Sequence, residues 1–140
     1  MGAVTKVVID TNVFISAFGW DGKPEAVLSL MEQRKVVNCI TNDIYSELQR
    51  VVAYPKLKFS PSLQVNILEF VFSWSRFVQP KETLTVIAED PDDDKILACA
   101  FAAKAAAIIS GDPHLLAIGS YRSIPIMTPA QFLGHKHLIA

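Results

Sequence analysis

Short apolar runs alternate along the chain with segments of helical periodicity. Buried strands are predicted over residues 6–10, 36–40, 77–79, 107–110 and 124–127. Helices or helical turns are predicted over residues 12–18, 24–34, 43–52, 61–75, 90–104, 113–117 and 129–133. Strands that alternate with helices from end to end form a parallel sheet with helices on both faces. The pattern therefore predicts an α/β fold.

Three local expectations add detail to this outline. Pro125 lacks the N–H that a β-ladder needs, so the strand over 124–127 is predicted to lie at an edge of the sheet. In the helix over 90–104 the middle residues are apolar or small on every side, and we expect Leu97 and Phe101 to be buried. Residues 81–89 are predicted to connect the third strand to this helix.

The helix over 61–75 has more apolar surface than one buried face requires. Leu68 and Phe72 make a second face apolar, and Phe70, Phe72 and Trp74 lie close together along the helix. Apolar patches of this kind mark interfaces when they remain exposed. We therefore expect either deep burial of this helix or a subunit contact.

The length and composition are those of a globular domain. The chain of 140 residues is predicted to form one domain over 1–134, followed by a C-terminal tail over 135–140. Apolar residues make up 51% of the chain, but no apolar run approaches the roughly 20 residues of a membrane span. The first residues lack the basic segment and the apolar core of a signal peptide, so a cytoplasmic location is expected.

The cysteines and the net charge limit the possible functions only slightly. Cys39 and Cys99 lie in apolar runs and are expected to be buried free thiols, although a disulfide is also compatible with the sequence. The net charge of −1 argues against binding of nucleic acid through bulk electrostatics. A nuclease stays possible, because acidic residues gathered at a site would mask a basic rim in the total.

Acidic residues stand at four positions along the chain, three of which lie where a predicted strand ends or a predicted helix begins. They are Asp10, Glu47, the cluster Asp90, Asp92, Asp93 and Asp94, and Asp112. Ligands of parallel α/β sheets bind outside the carboxyl ends of the strands, so we expect Asp10 and Asp112 to meet at one edge. Carboxylates gathered there repel each other unless a hard divalent cation lies among them. The arrangement predicts Mg²⁺- or Mn²⁺-dependent phosphodiester chemistry.

Each acidic position also has a purely structural interpretation. Asp10 and Asp112 suit the N-caps of the helices that follow them, and Glu47 lies at the margin of an apolar stripe, where surface residues are common. Capping and the helix dipole explain one or two carboxylates of the cluster. They do not explain why Asp90, Asp93 and Asp94 stand three and four residues apart. This spacing places the three carboxylates on the same helix face as Leu97.

Four segments resemble the PIN-domain ribonucleases, especially the VapC-related toxin components of bacterial toxin–antitoxin systems. The segments are residues 8–17, 44–48, 90–100 and 108–116. They stand in the order and at the spacing of that family, and the resemblance covers nearly the whole chain. The first and third segments are the more specific ones.

The resemblance implies a fold, an activity and partners. The implied fold is a three-layer α/β/α sandwich with a central parallel five-stranded sheet. The implied activity is that of a Mg²⁺- or Mn²⁺-dependent endoribonuclease that acts as the toxin of a type II toxin–antitoxin pair. Its partners would be an RNA substrate, a cognate antitoxin protein and a second copy of the chain in a homodimer.

The resemblance also assigns roles to residues of the site. It places the family acids at Asp10, Glu47, Asp93 and Asp112, with Asp94 as the alternative third acid. Asp10 with Asp93 or Asp94 would bind the metal directly, while Glu47 and Asp112 would hold metal-bound water or a second ion. The expected supporting residues are Asn12, Asp90 and Ser110. Weak candidates for RNA contacts are Arg50, Lys56 and Lys58, for which a solvated loop is an equally good interpretation.

Other functions with an acidic residue after the first strand fit less well. A phosphotransferase of the haloacid dehalogenase type needs a second Asp two residues on, where this chain has Asn12. A receiver domain of two-component signalling needs a Lys after its last strand, where this chain has Thr128 and Pro129. The alternative of another class is a catalytically inactive PIN-like module that binds RNA or protein. The retention of every acid argues against it.

Overall fold

A six-stranded sheet forms the centre of the protein. The computed structural model describes residues 4–19, 22–80, 91–135 and 138. The strands in these residues are β1 (Thr5–Ile9), β2 (Val36–Ile40), β3 (Ser75–Phe77), β4 (Ala107–Ile109), β5 (Ser120–Tyr121) and β6 (Ile124–Met127). The helices are α1 (Thr11–Gly19), α2 (Lys23–Glu32), α3 (Asn42–Val52), α4 (Pro61–Trp74), α5 (Pro91–Ala103), α6 (Pro113–Ile118) and α7 (Pro129–Gly134), with a 3₁₀ turn at Pro55–Leu57.

The strand order β3-β2-β1-β4-β6-β5 contains five parallel strands and one antiparallel strand. The predicted α/β fold with five parallel strands is therefore confirmed. The chain leaves β1 towards β2 and β3 on one side and returns to β4 and β6 on the other. The point where the order reverses lies between β1 and β4, and such a switch point is where ligands of open α/β sheets bind.

The sixth strand, β5, was absent from the predicted pattern, and it makes the edge position predicted for 124–127 wrong. Arg122 and Ser123 both adopt positive φ angles, 48° and 69°, and turn the chain back in a tight hairpin between β5 and β6. Such turns usually carry Asn-Gly, and because Arg122 and Ser123 stand there instead, no local pattern predicted this hairpin. Pro125 is tolerated because the pairing of β6 with β4 begins only at Ile126.

One part of the hydrophobic core forms where α5 packs against β1, β2 and β4. Leu97 is fully buried, as predicted, but Phe101 is 39% exposed, so its predicted burial is wrong. Phe101 lies in the last turn of α5, and the guanidinium of Arg122 covers its ring at 4.1 Å from the ring centre. The Arg122 side chain from the β5–β6 turn thus covers a ring that was expected to pack in the core.

The face of α4 that was expected to be buried or in contact with a subunit lies partly open. Ile67 and Val71 are buried, whereas Val65 is 51% exposed and Phe72 is 62% exposed. Deep burial is therefore wrong for this second face. The expected third strand begins two residues earlier than predicted, and the predicted connection over 81–89 lies outside the described residues.

Both cysteines are buried free thiols, as expected, and no disulfide joins them. The Cys99 thiol donates to the carbonyl oxygen of Cys39 at 3.5 Å. Burial, followed by the neighbouring Cys39, raises the pKa of Cys99 to about 12. Both residues therefore act as small apolar groups at neutral pH.

The two ends of the described chain meet beside β1. The Thr5 hydroxyl donates to the carbonyl oxygen of Leu138, which lies in the segment predicted as a tail. None of the helices within the described residues is long and apolar enough to cross a membrane.

Asn38 is a polar residue in the middle of the buried strand β2. Its Oδ1 accepts from the Ile9 backbone N–H at 2.9 Å, and its Nδ2 donates to Ser75 Oγ at 3.0 Å. The side chain therefore joins β1, β2 and β3 near the carboxyl end of β1, where it satisfies a buried backbone donor.

Replacement of Asn38 by Ala should lower the free energy of unfolding by about 2 kcal/mol, because it leaves the Ile9 N–H buried without an acceptor. Ser75→Ala should cost less, since only the outer hydrogen bond is lost and Ser75 is partly accessible to water. Denaturant unfolding of the two variants measures both values. Equal stability of Asn38→Ala and the wild type would show that the side-chain bridge is dispensable.

Candidate functional site

The carboxyl ends of β1 and β4 bring two acidic residues to the switch point of the sheet. Ile9 is paired with Ile109, and the Asp10 N–H continues this pairing by donating to the Ile109 carbonyl at 2.9 Å. Asp112 follows β4 after two residues. Asp10 and Asp112 therefore lie at one edge, as the parallel arrangement predicted.

Ser110 connects the two acids through its hydroxyl group. Its Oγ donates to Asp10 Oδ2 at 2.7 Å and accepts from the Asp112 backbone N–H at 3.0 Å. Ser110 is fully buried and Asp10 is 7% exposed. The short hydrogen bond to a nearly buried carboxylate holds Asp10 in one orientation.

The capping interpretation holds for one of these acids and only weakly for the other. Asp112 caps α6, since its Oδ1 accepts from the His114 N–H at 2.9 Å. Asp10 Oδ1 accepts from the Asn12 N–H and from the Thr11 hydroxyl, both at the long distance of 3.4 Å. The strongest contact of Asp10 is thus the one across the sheet to Ser110, and a local cap does not explain it.

The buried position perturbs the ionisation of Asp10. Burial raises the pKa of its carboxyl above the ordinary value of 3.8, and the negative charge of Asp112 raises it further. The hydrogen bond from Ser110 opposes this rise, as do the weaker bonds from Asn12 and Thr11. A carboxylate that is desolvated beside a second carboxylate is stabilised by a nearby cation.

The remaining predicted acids lie on helices α3 and α5, which pack against each other. Asp93 is the third residue of α5 and is 5% exposed, whereas Asp94 and Glu47 are half-buried. Asp90 lies outside the described residues. The burial of Asp93 at a helix start is unusual for a carboxylate and makes it the better candidate for the third acid.

The four acids do not form a closed metal site in the described structure. Among the described residues, no three Asp, Glu, His or Cys side chains are grouped closely enough to hold a metal ion. The convergence of Asp10, Glu47, Asp93 and Asp112 in one pocket therefore stays a prediction. The donor set still suits a hard cation such as Mg²⁺, which takes only a few carboxylates and keeps several waters. Asp10 and Asp112 would supply two of these oxygen donors at the switch point.

A cleft of about 490 Å³ opens beside Asp112. It is lined by Asn12, Val13, Ser16, Pro24, Gly111, Asp112, Pro113 and Pro129. Asn12 and Ser16 lie one helical turn apart on α1, so an amide and a hydroxyl face the same space. The cleft therefore offers hydrogen-bonding groups and apolar proline faces directly next to one of the acids.

The basic residues proposed as RNA contacts lie away from this edge. Helix α3 begins just after the carboxyl end of β2, and Arg50 is about 12 Å further along its axis. Lys56 follows in the 3₁₀ turn and Lys58 directly after it, and all three side chains are exposed. The structure therefore separates the basic segment from the acidic edge by most of the length of α3.

The sequence interpretation missed three polar residues near the site. Thr11 is buried against Asp10, Asn38 bridges the strands behind it, and Ser16 lines the cleft. Asn38 had a usable signal, because a polar residue inside a fully buried strand needs a partner. Thr11 and Ser16 had none, since hydroxyl residues in a helix usually face solvent or cap it.

Comparison with known protein families agrees with this geometry. A family model described as PIN domain matches residues 6–114. The chain belongs to the PIN domain family. The matched region contains Asp10, Glu47, Asp93 and Asp112, and the three-layer α/β/α arrangement of this PIN domain is the one expected from the sequence. PIN domains are generally nucleases and typically use divalent metal ions.

A similar protein occurs in an archaeon. This PIN domain is 35% identical over 117 residues to an uncharacterized protein of Methanocaldococcus jannaschii, covering 81% of this chain and 74% of that protein.

Asp10→Asn should stabilise the metal-free PIN domain at neutral pH. Because the Asp10 pKa is raised on folding, the folded wild type binds more protons than the unfolded chain above pH 3.8. Its stability therefore falls as the pH rises through the window between 3.8 and the folded pKa. The melting temperature of Asp10→Asn in a chelator should exceed that of the wild type above this window, and the difference should shrink towards pH 3.8.

Glu69→Gln, which removes an exposed carboxylate from α4, is the control for a general effect of charge removal. A wild type that gains stability relative to Asp10→Asn as the pH rises would contradict a desolvated Asp10.

Proposed function

We propose that this PIN domain is a Mg²⁺- or Mn²⁺-dependent endoribonuclease that hydrolyses RNA phosphodiester bonds. The observation that carries the proposal is the buried Asp10 carboxylate, held by Ser110 and repelled by Asp112 at the switch point. A cation relieves that repulsion, and the family to which the chain belongs is generally one of nucleases. Burial of a charged group without an apparent structural gain is typical of catalytic sites.

The proposed roles follow from the position of each acid. Asp10 and Asp93, the two buried carboxylates among the described residues, would bind the metal directly, with Asp94 as a further ligand. Asp112 and Glu47 would orient metal-bound water or hold a second ion. When bound, the metal lowers the pKa of a bound water and offsets charge on the attacked phosphate. Ser110 acts as a positioning residue, because its hydrogen bond fixes Asp10 and its Oγ accepts from the Asp112 N–H.

The cleft beside Asp112 is the proposed path of the RNA strand. Its amide and hydroxyl groups suit hydrogen bonds to sugar or base edges, and its prolines offer flat apolar contacts. Among the described residues that line it, only Asp112 is charged, so these residues do not attract phosphate by themselves. Neutralisation by a cation is therefore part of the proposed binding of RNA, while Arg50, Lys56 and Lys58 contribute more remotely.

The proposed biological role is that of the toxin in a type II toxin–antitoxin pair, acting in the cytoplasm and neutralised by a cognate antitoxin protein. The support is the sequence resemblance together with the exposed aromatic surface on α4, which is suitable for a protein partner. The proposed nuclease domain spans residues 1–134, with 135–140 as a tail.

A second candidate function is that of a catalytically inactive module that binds RNA or protein. The observation that favours it is the spacing of the acids, since no three potential metal ligands are grouped among the described residues. The two candidates differ in one property that can be measured directly, which is metal-dependent turnover of RNA.

Purified wild type should cleave RNA in the presence of Mg²⁺ or Mn²⁺, whereas Asp10→Asn should lose about 10²-fold or more in rate, because an amide binds a hard cation poorly. Cleavage of a panel of structured RNAs measures the rates, with Glu69→Gln as the control that keeps wild-type activity. Mg²⁺ should also raise the melting temperature of the wild type more than that of Asp10→Asn.

Equal cleavage by the wild type and Asp10→Asn would place the activity elsewhere. RNA that is bound but never cut, together with equal thermal shifts in both proteins, would favour the inactive module.

Expression of the wild type should slow the growth of a bacterial host, and expression of Asp10→Asn should not.

The proposed assembly is a homodimer that uses α4 and its neighbours. Phe72 packs edge-on against Tyr45 and lies 5.6 Å from Phe77, measured between ring centres, so three aromatic rings form one surface. Phe72 is 62% exposed and Phe77 is 37% exposed. An exposed aromatic cluster of this kind is typical of the centre of an interface.

Phe72→Ser should convert the dimer to a monomer, because it removes the central aromatic side chain of that surface. Sedimentation of the proteins at high micromolar concentration measures the mass. Phe101→Ser is the matched control, since Phe101 is another exposed phenylalanine and lies on α5. A wild type that sediments as a monomer, or a Phe72→Ser variant that stays dimeric, would remove the α4 surface from the assembly.

A further inference from the structure

A second cleft, of about 600 Å³, opens at the amino ends of β2 and β3, the opposite end of the sheet from Asp10. Its lining consists of Val4, Met31, Arg34, Val36, Val37, Ser73, Trp74, Ser75 and Arg76. Within the part of the chain that the structure describes, two of the lining residues are cationic and none is acidic. The charged side chains that line this cleft are therefore positive, whereas the charged side chain that lines the cleft beside Asp112 is negative.

The two arginines are held at the cleft by the fold. Arg34 follows α2 in the left-handed conformation, with φ of 59°, and its guanidinium lies over the Trp74 ring at 5.7 Å from the ring centre. Arg76 is part of β3, which is the edge strand. An aromatic ring restricts an arginine side chain without neutralising its charge.

Further positive charge surrounds the cleft. Lys35 directly follows Arg34, and Lys6 is paired with Val37 across β1 and β2. Burial raises the pKa of the Cys39 thiol, and the positive charges of Arg76 and Lys6 act in the opposite direction by stabilising the thiolate. Arg34, Arg76 and these lysines thus create one region of positive potential.

The polar groups of the cleft are suited to an anion. Ser75 Oγ accepts a hydrogen bond from Asn38 Nδ2, which leaves the Ser75 O–H as a donor. Ser73 adds a second hydroxyl at the wall, and the planar forks of two arginines match the oxygens of phosphate. We propose that this cleft binds the phosphate group of a nucleotide, carried either by an RNA strand or by a free nucleotide.

The site is independent of the metal chemistry proposed for the acidic edge. The two clefts lie at opposite ends of five-residue strands, which separates them by roughly 16 Å along the strand direction. A strand bound at the amino end would be retained near the protein without contact with the reacting phosphate. Loss of this contact should therefore weaken binding of RNA and leave the cleavage rate at saturating RNA unchanged.

Binding of a short, labelled, single-stranded oligoribonucleotide, measured by fluorescence anisotropy in a chelator, tests the proposal. Arg34→Gln and Arg76→Gln should each weaken binding about tenfold, since each removes charge-assisted hydrogen bonds. The slope of log K against log salt should also fall by about 0.7 for each lost phosphate contact. Lys104→Gln, which removes an exposed charge just before β4 and outside the cleft, is the control.

Competition with adenosine monophosphate and with inorganic phosphate separates the two possible sources of the phosphate. Displacement of the labelled RNA by either small anion supports a site for a single phosphate group. Arginine-dependent binding of RNA that neither anion displaces supports recognition of the strand. Binding of RNA by both arginine variants that equals that of Lys104→Gln would overturn the proposal, as would arginine-dependent binding of an oligoglutamate peptide in place of RNA.

The chelator keeps this test apart from the one on cleavage. Asp10→Asn should bind the oligoribonucleotide in the chelator as the wild type does. An inactive Asp10→Asn that retains arginine-dependent binding would therefore support the amino-end site whether or not the wild type is a nuclease.

Discussion

The parallel pairing of β1 with β4 is the constraint on which the site depends. It brings the ends of two strands that are a hundred residues apart to one edge, so that Ser110 can donate to Asp10 and accept from the Asp112 N–H. The price is a carboxylate that is desolvated and repelled by its neighbour. The surrounding polar groups offset only part of this cost, which is why a cation is the natural complement of the edge.

Charge is distributed unevenly between the two ends of the sheet. Acidic residues follow the carboxyl ends of β1 and β4, whereas cations stand at or just before the amino ends of β1 and β2, as Lys6, Arg34 and Lys35 show. The net charge of −1 conceals this separation. In a protein of a nuclease family, this separation of charge would let the acidic end of the sheet hold a metal ion while the basic end attracts phosphate. The basic end would not compete for the metal ion.

The sequence predicted the acidic edge more completely than it predicted the contacts around it. Asp10 and Asp112 were recognisable because a buried parallel strand must point its carboxyl end at the ligand side of the sheet. Glu47 and the Asp cluster stood out as acidic positions, but only family resemblance assigned Glu47 and Asp93 to the site, because their distance from Asp10 depends on how α3 and α5 pack. The exposure of Phe101 was missed for a similar reason, since the cation that covers its ring comes from a distant turn.

The alternation of apolar runs with helical periods determined by itself the α/β class, the five parallel strands and the burial of both cysteines, because strand and helix patterns are local and burial follows hydrophobicity. Only the tertiary structure decided the hairpin that places β6 inside the sheet, the bridge made by Asn38 and the stacking of Arg34 on Trp74. Each of these depends on backbone conformation or on side chains from separate elements, and no periodicity along the chain records which partners the folded elements bring together.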